Sequence, residues 1–429
     1  MRTCDIIGIS DSRNQWFPPE VMQVIQGAHV FSGGRRHHEI VASLLPTDAV
    51  WIDITLPLEN VFRQYEAVEH VVIFASGDPL FFGFANTVQR EIPEAEIRLY
   101  PSFNSLQMLA HRLLLPYHDM RVVSLTGRPW QEFDRALIER APKIGVLTDR
   151  EHTPAAIARR MLDYGYTSYT MHVGEHLGNT DLERVISLSL VEASTHTFSL
   201  PNCLLLCAPA PAAPALAATV LGAPAPVATV LGGFPAESAS SPPRSFGLPD
   251  SSFALLDGRE KMITKMPIRL LTLQALDLPR RHVLWDIGAC TGSVSIEARL
   301  LFPHLRVVAF EIRPECEAII HENCRRHAAP GIEVHMGDFL ETDINALPCP
   351  DAVFIGGHGG HLKDIMAKVT TVLADDGCIV MNSVKAPRVK TDSRQLWDEA
   401  CAELGLKQET PTKIILNENH PIQILKTHK

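Results

Sequence analysis

The C-terminal half of the chain places acidic residues at the ends of apolar runs. Leu284-Trp-Asp-Ile-Gly-Ala-Cys-Thr-Gly-Ser293 leads a buried strand into a small-residue turn, with Asp286 just before it. Glu311 ends the next run, 25 residues after Asp286, and Gly337-Asp338 closes the third. A turn of Gly288, Ala289, Cys290, Thr291 and Gly292 lets a ligand approach the backbone closely. A pyrophosphate site would want G-x-G-x-x-G at the helix N-terminus, whereas three residues separate Gly288 from Gly292. Asp286 would repel a pyrophosphate but suits a ligand with positive charge, such as the sulfonium and amino group of S-adenosyl-L-methionine. Glu311 is placed to accept both ribose hydroxyls. The plainer alternatives are a cap on the turn for Asp286 and a solvated strand end for Glu311.

A second turn lies in the N-terminal half, where Ala75-Ser-Gly-Asp-Pro-Leu-Phe-Phe-Gly83 follows an apolar run. Gly-Asp-Pro at the carboxyl end of a strand is a ligand-binding position in an open α/β sheet, and also makes an ordinary tight turn. Pro350-Asp-Ala-Val-Phe-Ile-Gly-Gly357 supplies a fourth strand to the C-terminal half and lacks the Asn/Asp-Pro-Pro-aromatic signature of base-amine methyltransferases. His358 and His361 follow it, either facing a substrate or as surface groups.

The elements that must hold these residues follow one rhythm. Before residue 207, β-rich runs at 6–9, 71–75, 97–100, 122–125 and 144–147 alternate with helical patterns, one of them near 20–28. Near residue 250 the rhythm resumes, with strands at 283–287, 307–311, 334–336, 352–355 and 378–381 and helices near 293–301 and 318–327. The 429 residues therefore read as two α/β domains, residues 1–207 and 246–429, joined by an Ala/Pro-rich linker over 208–245. That linker holds 12 Ala and 8 Pro among 38 residues and reads as a semi-rigid extended spacer. The uncharged stretch 200–236 carries seven prolines that forbid a spanning helix.

Charge and cysteine usage narrow the function. Lys plus Arg total 39 against 49 Asp plus Glu, and this net charge of −10 opposes a nucleic-acid binder that works by broad phosphate neutralisation. Nine scattered cysteines without a CxxC fit reduced thiols rather than a disulfide framework or a metal site. Asp5 interrupts the start before an apolar signal segment could form, so a cytoplasmic location is expected.

With these residues in view, the C-terminal half resembles a known family. Thr264-Lys-Met-Pro-Ile-Arg269, the turn from Asp286 to Ser293, Ser295-Ile-Glu297, Gly337-Asp338 and Phe354-Ile-Gly-Gly357 resemble the cobalamin-pathway precorrin methyltransferase domains that methylate C15 and remove the acetate carboxyl on C12. The resemblance implies a Rossmann-like class I methyltransferase fold, with S-adenosyl-L-methionine held by Thr264, Gly288 to Gly292, Glu311, Gly337 and Asp338. The family usually has Gly where this chain has Cys290; a thiol there is expected to narrow the clearance of the turn, a variation tolerated because small residues flank it.

In the N-terminal half, Gly77-Asp-Pro79 with Phe82-Gly83, Pro101-Ser-Phe-Asn-Ser-Leu-Gln107, Ser124-Leu-Thr-Gly-Arg128, Val146-Leu-Thr-Asp149 and Gly174-Glu-His-Leu-Gly178 with Glu183-Arg184 are similar to the tetrapyrrole methylases, in particular a C5-methylating precorrin branch. That likeness implies a two-lobed fold with S-adenosyl-L-methionine in the cleft, bound at Gly77, Asp78, Pro79, Phe81, Ser105 and Leu147. The first loop, Gly8-Ile-Ser-Asp-Ser12, departs from the family's glycine- and proline-rich turn, so only Gly8 is carried over and Asp11 is expected to alter substrate entry.

Together the two resemblances imply a bifunctional C-methyltransferase of corrin synthesis that acts on a polycarboxylate tetrapyrrole, with no metal site and no bound prosthetic group. Cationic side chains then become candidates for gripping propionates: Arg35 and Arg36 beside His37 and His38, then Arg128, and Arg269 in the second domain. Arg128, Arg269 and His358 are the catalytic candidates. A cobalt-containing substrate, an RNA-directed methyltransferase and an NAD-dependent oxidoreductase are the alternatives, the last lacking its G-x-G-x-x-G turn in either half. No membrane partner is expected, and both families imply a homo-oligomer.

Overall fold

The computed structural model describes residues 2–209, 247–259, 262–384, 393–415 and 422–428. Apart from Ala208 and Pro209, the expected linker lies outside the described residues. The chain divides into two compact units, the first carrying two sheets and the second a third.

The first sheet is wholly parallel. Its strands β1 (Thr3–Ile9), β2 (Val30–Gly33), β3 (Val50–Asp53), β4 (His70–Ser76) and β5 (Glu96–Tyr100) lie in the order β3-β2-β4-β1-β5. The runs Ile6-Ile7 and Val71-Val72-Ile73-Phe74 send alternate side chains into two separate cores, Ile6 and Ile73 into one, Ile7, Val72 and Phe74 into the other. A strand buried on both faces requires such an unbroken apolar run. Gly8 pairs with Ala75 and Ile9 with Ser76, so the carboxyl ends of β1 and β4 stand side by side.

The second sheet contains β6 (Arg121–Ser124), β7 (Lys143–Leu147), β8 (Thr170–Glu175), β9 (Arg184–Ser189) and β10 (Asn202–Cys207) in the order β6-β7-β10-β8-β9. Only β6 and β7 run parallel. The third sheet is ordered β13-β12-β11-β14-β15-β18-β16, with β17 also paired to β18. Its parallel part comprises β11 (Val283–Ile287), β12 (Arg306–Glu311), β13 (Ile332–Met336), β14 (Ala352–Ile355) and β15 (Cys378–Val384). The strands β16 (Lys407–Gln408), β17 (Thr412–Ile414) and β18 (Ile422–His428) complete it by antiparallel pairing.

The strands with long apolar runs fall where the sequence places them. Beyond them the structure adds β2 and β3, four residues each, and the edge strand β9, whose side chains are largely exposed. It also adds β10, whose Cys203 to Leu206 run opens the uncharged stretch and is buried between β7 and β8. Among the described residues no helix is long and apolar enough to cross a membrane.

Candidate functional site

In the first unit a cleft of about 480 Å³ is lined by residues of both sheets and their loops, Gly77, Phe81, Ser105 and Leu147 among them. Backbone geometry builds its floor. Gly77 takes φ +61° and donates its N–H to Ile9 O at 2.8 Å, while its carbonyl accepts Ser102 N at 3.3 Å. Gly8 lies beneath, where a Cβ would come within 1.9 Å of the Gly77 carbonyl oxygen. Its role is thus steric: only glycine at this strand end lets the second loop close over the first. Asp78 points into its own turn, its Oδ1 accepting Leu80 N at 2.9 Å, and Pro79 is buried behind it. Gly77 and Phe81 therefore face the cleft, whereas Asp78 and Pro79 shape the loop that presents them.

Packed against Gly77, Asn104 caps the helix Ser105–Leu113. Its Oδ1 accepts Gln107 N at 2.9 Å and Gln107 Oε1 accepts Asn104 N at 3.0 Å, a reciprocal cap that leaves the first turn of this helix at the cleft wall. Asp149 fixes the adjacent loop by accepting Gly127 N, Glu151 N and His152 N, and those donors hold its carboxyl well below the usual carboxylate range against the opposing effect of burial.

The candidate cations of this unit separate. Arg36 and His37 line the cleft: Arg36 bonds Asp11 Oδ1 at 2.8 Å and Ser76 Oγ at 3.0 Å, and His37 Nε2 meets the same Ser76 Oγ at 2.9 Å. Burial, with Arg36 alongside, pushes His37 down to about 4, so it is neutral near pH 7. Arg35 instead pairs with Glu39 on the surface with its side chain 93% exposed, and His38 stacks on Trp51. Asp11 also meets His176 Nδ1 at 3.2 Å. It therefore anchors Arg36 at the cleft wall, a more definite position than the effect on substrate entry expected of it. Arg128 donates to Ser124 Oγ at 2.9 Å and lies over the Phe82 ring.

In the second unit the glycine turn, Glu311 and Gly337 sit together at the carboxyl ends of β11, β12 and β13. Gly288 (φ +78°) passes so close to the loop after β14 that a Cβ would stand 2.7 Å from Gly357 N. Gly288 N and Ala289 N both donate to Phe310 O, Gly292 N to Ala289 O, and Gly337 N to Glu311 O, which ties the strand ends into one platform. Glu311 is buried beneath it, not a solvated strand end. Its Oε2 accepts Cys290 N at 2.7 Å and its Oε1 accepts Arg313 N and Nε, both at 2.9 Å. Asp286 does cap: its Oδ2 accepts Ser295 N and Oγ at the start of the helix Ser293–Leu301, while Oδ1 is buried without a hydrogen bond. Burial pushes the Asp286 carboxyl up to about 6. Thr291 is buried in the turn, its carbonyl accepting Asn323 Nδ2, whereas Asp338 is exposed with Oδ1 accepting Leu340 N.

Two expectations change here. Cys290 adopts φ +52°, a conformation that glycine takes without cost, but its side chain packs with Leu256 and Cys316, so the thiol's volume is absorbed in that cluster rather than in the clearance of the turn. Arg269 is 0% exposed and has no nitrogen left for a substrate carboxylate: Nε bonds Glu297 at 2.6 Å, Nη1 bonds Asp250 and Thr264 O, and Nη2 bonds Leu248 O. A guanidinium without water must satisfy all its donors internally, and this one knots together the segment that carries Thr264. His358 is half-buried next to Gly357, and burial followed by His361 lowers its imidazole below the ordinary value.

A family model described as tetrapyrrole (corrin/porphyrin) methylases matches residues 4–193, and one described as a precorrin methyltransferase domain matches residues 257–404. A Sinorhizobium sp protein, "Precorrin-6Y C(5,15)-methyltransferase [decarboxylating]", is 32% identical over 88% of this chain and 84% of its own length. The chain belongs to this family. The Salmonella typhimurium "Cobalt-precorrin-6B C(15)-methyltransferase (decarboxylating)" is 33% identical over 41% of this chain and 93% of its own length. A crystal structure of a precorrin-6Y C5,15-methyltransferase from Geobacter metallireducens GS-15 is 32% identical, covering 43% of this chain and 97% of that one with a TM-score of 0.38.

As a precorrin-6Y C5,15-methyltransferase family member the chain is a C-methyltransferase of cobalamin biosynthesis, and its methyl donor is S-adenosyl-L-methionine. Several residues around the two turns were not singled out in the sequence. Asn104 was detectable from the Asn-x-x-Gln spacing that makes a capping box. The pairing of Asp11 with Arg36 and the roles of Phe82, Phe103 and Arg313 carry no local signal, because each depends on which neighbour the fold supplies.

Proposed function

We propose that the chain carries two methyl-transfer sites, one per half of the sequence: residues 1–207 methylate C5 of a precorrin, and residues 246–429, beyond a linker over 208–245, methylate C15 and remove the C12 acetate carboxyl. The implied reaction is precorrin-6B plus two S-adenosyl-L-methionine giving precorrin-8X, two S-adenosylhomocysteine and carbon dioxide. The observation that supports it is two turns of different construction, each at the carboxyl ends of parallel strands and each closed by a glycine whose Cβ would strike backbone.

The residues fit the donor in both units. In the first, Gly77, Phe81, Ser105 and Leu147 line one cleft, with Gly8 supplying clearance for the Gly77 carbonyl. In the second, Gly288 to Gly292 give the approach, Glu311 takes the ribose hydroxyls, and Thr264, Gly337 and Asp338 border the turn. All the acceptor positions of Glu311 are engaged, so a ribose diol takes over those held by the Arg313 side chain, whereas the Cys290 N–H stays. The donor supplies an electrophilic methyl group, and a ring carbon of the reduced macrocycle attacks it in line, the new C–C bond forming as the methyl–sulfur bond breaks and S-adenosylhomocysteine leaves. Arg128 binds a substrate carboxylate in the first unit, and neutral His358 stands on the substrate side of the second turn. For decarboxylation the carboxyl leaves as carbon dioxide, its bonding pair enters the conjugated ring, and proton uptake at the side-chain carbon completes the methyl. Arg269 acts as a positioning residue for Thr264. A cytoplasmic homo-oligomer belongs to the same reading, which sedimentation and cell fractionation check.

The test is product mass spectrometry of the full-length chain with precorrin-6B and S-adenosyl-L-methionine. The wild type should give a product with two added methyl groups and one carbon dioxide lost. Glu311→Ala should stop the C15 methylation and the decarboxylation, and Gly77→Val the C5 methylation. An inert wild type would sink the reading.

A further inference from the structure

We infer that Phe82 is a substrate-specificity residue of the first unit, its ring held at the mouth of the cleft to pack against the flat face of the tetrapyrrole. This inference rests on the function proposed above and adds a residue to it. Phe81, its neighbour, is half-buried and packs against the cluster of Leu106, Leu109 and Cys203, as a core aromatic does. Phe82 is different. It takes φ +53°, the left-handed region that a bulky side chain enters only at a cost, yet its ring is 46% exposed.

The strain is not offset by burial. The recorded ring contacts of Phe82 are an edge-to-face approach to Phe81 at 5.3 Å and the Arg128 guanidinium 5.3 Å from its centroid. Phe103, which lines the same cleft, is also exposed, at 57%, its ring edge-on to His111. Two exposed aromatics on a cleft, one of them strained, leave apolar surface in water that a flat conjugated ligand would cover. The cations match the other half of such a ligand. Arg128 lies over the Phe82 ring and Arg36 on the cleft wall, so a macrocycle docked at Phe82 brings its peripheral carboxylates to guanidinium groups. The residues proposed to hold the donor, Gly77, Phe81, Ser105 and Leu147, do not include Phe82, which lines the same cleft.

The test uses the full-length chain. Phe82→Gly relieves the backbone and removes the ring, and Phe82→Tyr keeps the ring; for each, the KM for precorrin-6B in C5 methylation and the Kd for S-adenosylhomocysteine at the first site are measured. We expect Phe82→Gly to raise the KM roughly 10-fold or more, the loss that follows from burying one aromatic ring less. It should leave the S-adenosylhomocysteine Kd within about twofold and raise the melting transition of the first unit by roughly 2–4 °C. Phe82→Tyr should keep the KM within about threefold. A Phe82→Gly chain with wild-type KM overturns the inference while the proposed function stands. A wild type that binds S-adenosylhomocysteine but does not turn over precorrin-6B overturns both. Should Phe82→Gly fail to fold, Phe82→Ala gives the same KM comparison without the gain in melting temperature.

Discussion

The two glycine turns meet the same demand by different physics. At Gly77 the cleft is presented mainly by backbone and aromatic groups, and its acids are engaged elsewhere: Asp78 closes its own turn and Asp11 holds Arg36. At Gly288 two buried carboxylates, Asp286 and Glu311, lie under the turn and hold its backbone N–H groups or the helix that follows. One site is specified by shape and the other by charge. Shape needs no buried ion and accepts many side chains around it, whereas charge requires each acid to be satisfied or its pKa to move. The basic residues follow the same division, since Arg36 and Arg128 keep a face toward water near the cleft while Arg269 is sealed inside its ion pairs.

The comparison can be broken most severely at Arg269. Arg269→Ala strands Glu297 as a buried charge and should cost the second unit about 3–5 kcal/mol, read by denaturant unfolding, with S-adenosylhomocysteine binding retained at the first site. Next comes Gly8→Ala, which drives a Cβ into the Gly77 carbonyl; it should cost about 3 kcal/mol and remove one of two binding events in titration calorimetry. Loss of both events would show that the two sites are not separable. Glu311→Ala removes a charged acceptor and should weaken S-adenosylhomocysteine at the second site by about 10–100-fold while leaving the first unchanged.

Asp286 sharpens the contrast through pH. Its folded pKa of about 6 lies above its ordinary 3.8, so the fold binds a proton that the unfolded chain has released. The stabilisation is complete below about 4 and is lost as pH rises through about 6, on the order of 3 kcal/mol for this buried group. Asp286→Asn, unfolded at pH 4 and pH 7, should show no such fall. The smallest effect belongs to Asp78→Ala, which removes one turn bond and should change first-site affinity by about threefold or less, a measure of how little that site relies on charge. A large loss there would mean that both sites read charge.

Much of this was legible in the chain itself. The runs around Ile73 and Val308 read as doubly buried parallel strands, and they form parallel strands buried in the sheet. Gly288 and Glu311 come together because β11 and β12 are adjacent in the sheet as well as consecutive in the chain. Arg269 was misread because a guanidinium in a motif looks the same whether it faces a ligand or a buried Glu297. Cys290 is accommodated because its side chain packs with Cys316, a direction that spacing does not encode.

By itself, then, the amino-acid order determined two α/β halves, their turns and the acids at the strand ends, since apolar periodicity and turn chemistry act over a few neighbouring residues. Tertiary structure alone decided that Gly8 serves Gly77, that Arg36 rather than Arg35 faces the cleft, and that Phe82 stays in water while Phe81 is packed. Those outcomes depend on which distant backbone or side chain arrives within a few ångströms, and proximity of that kind exists only after the strands have paired.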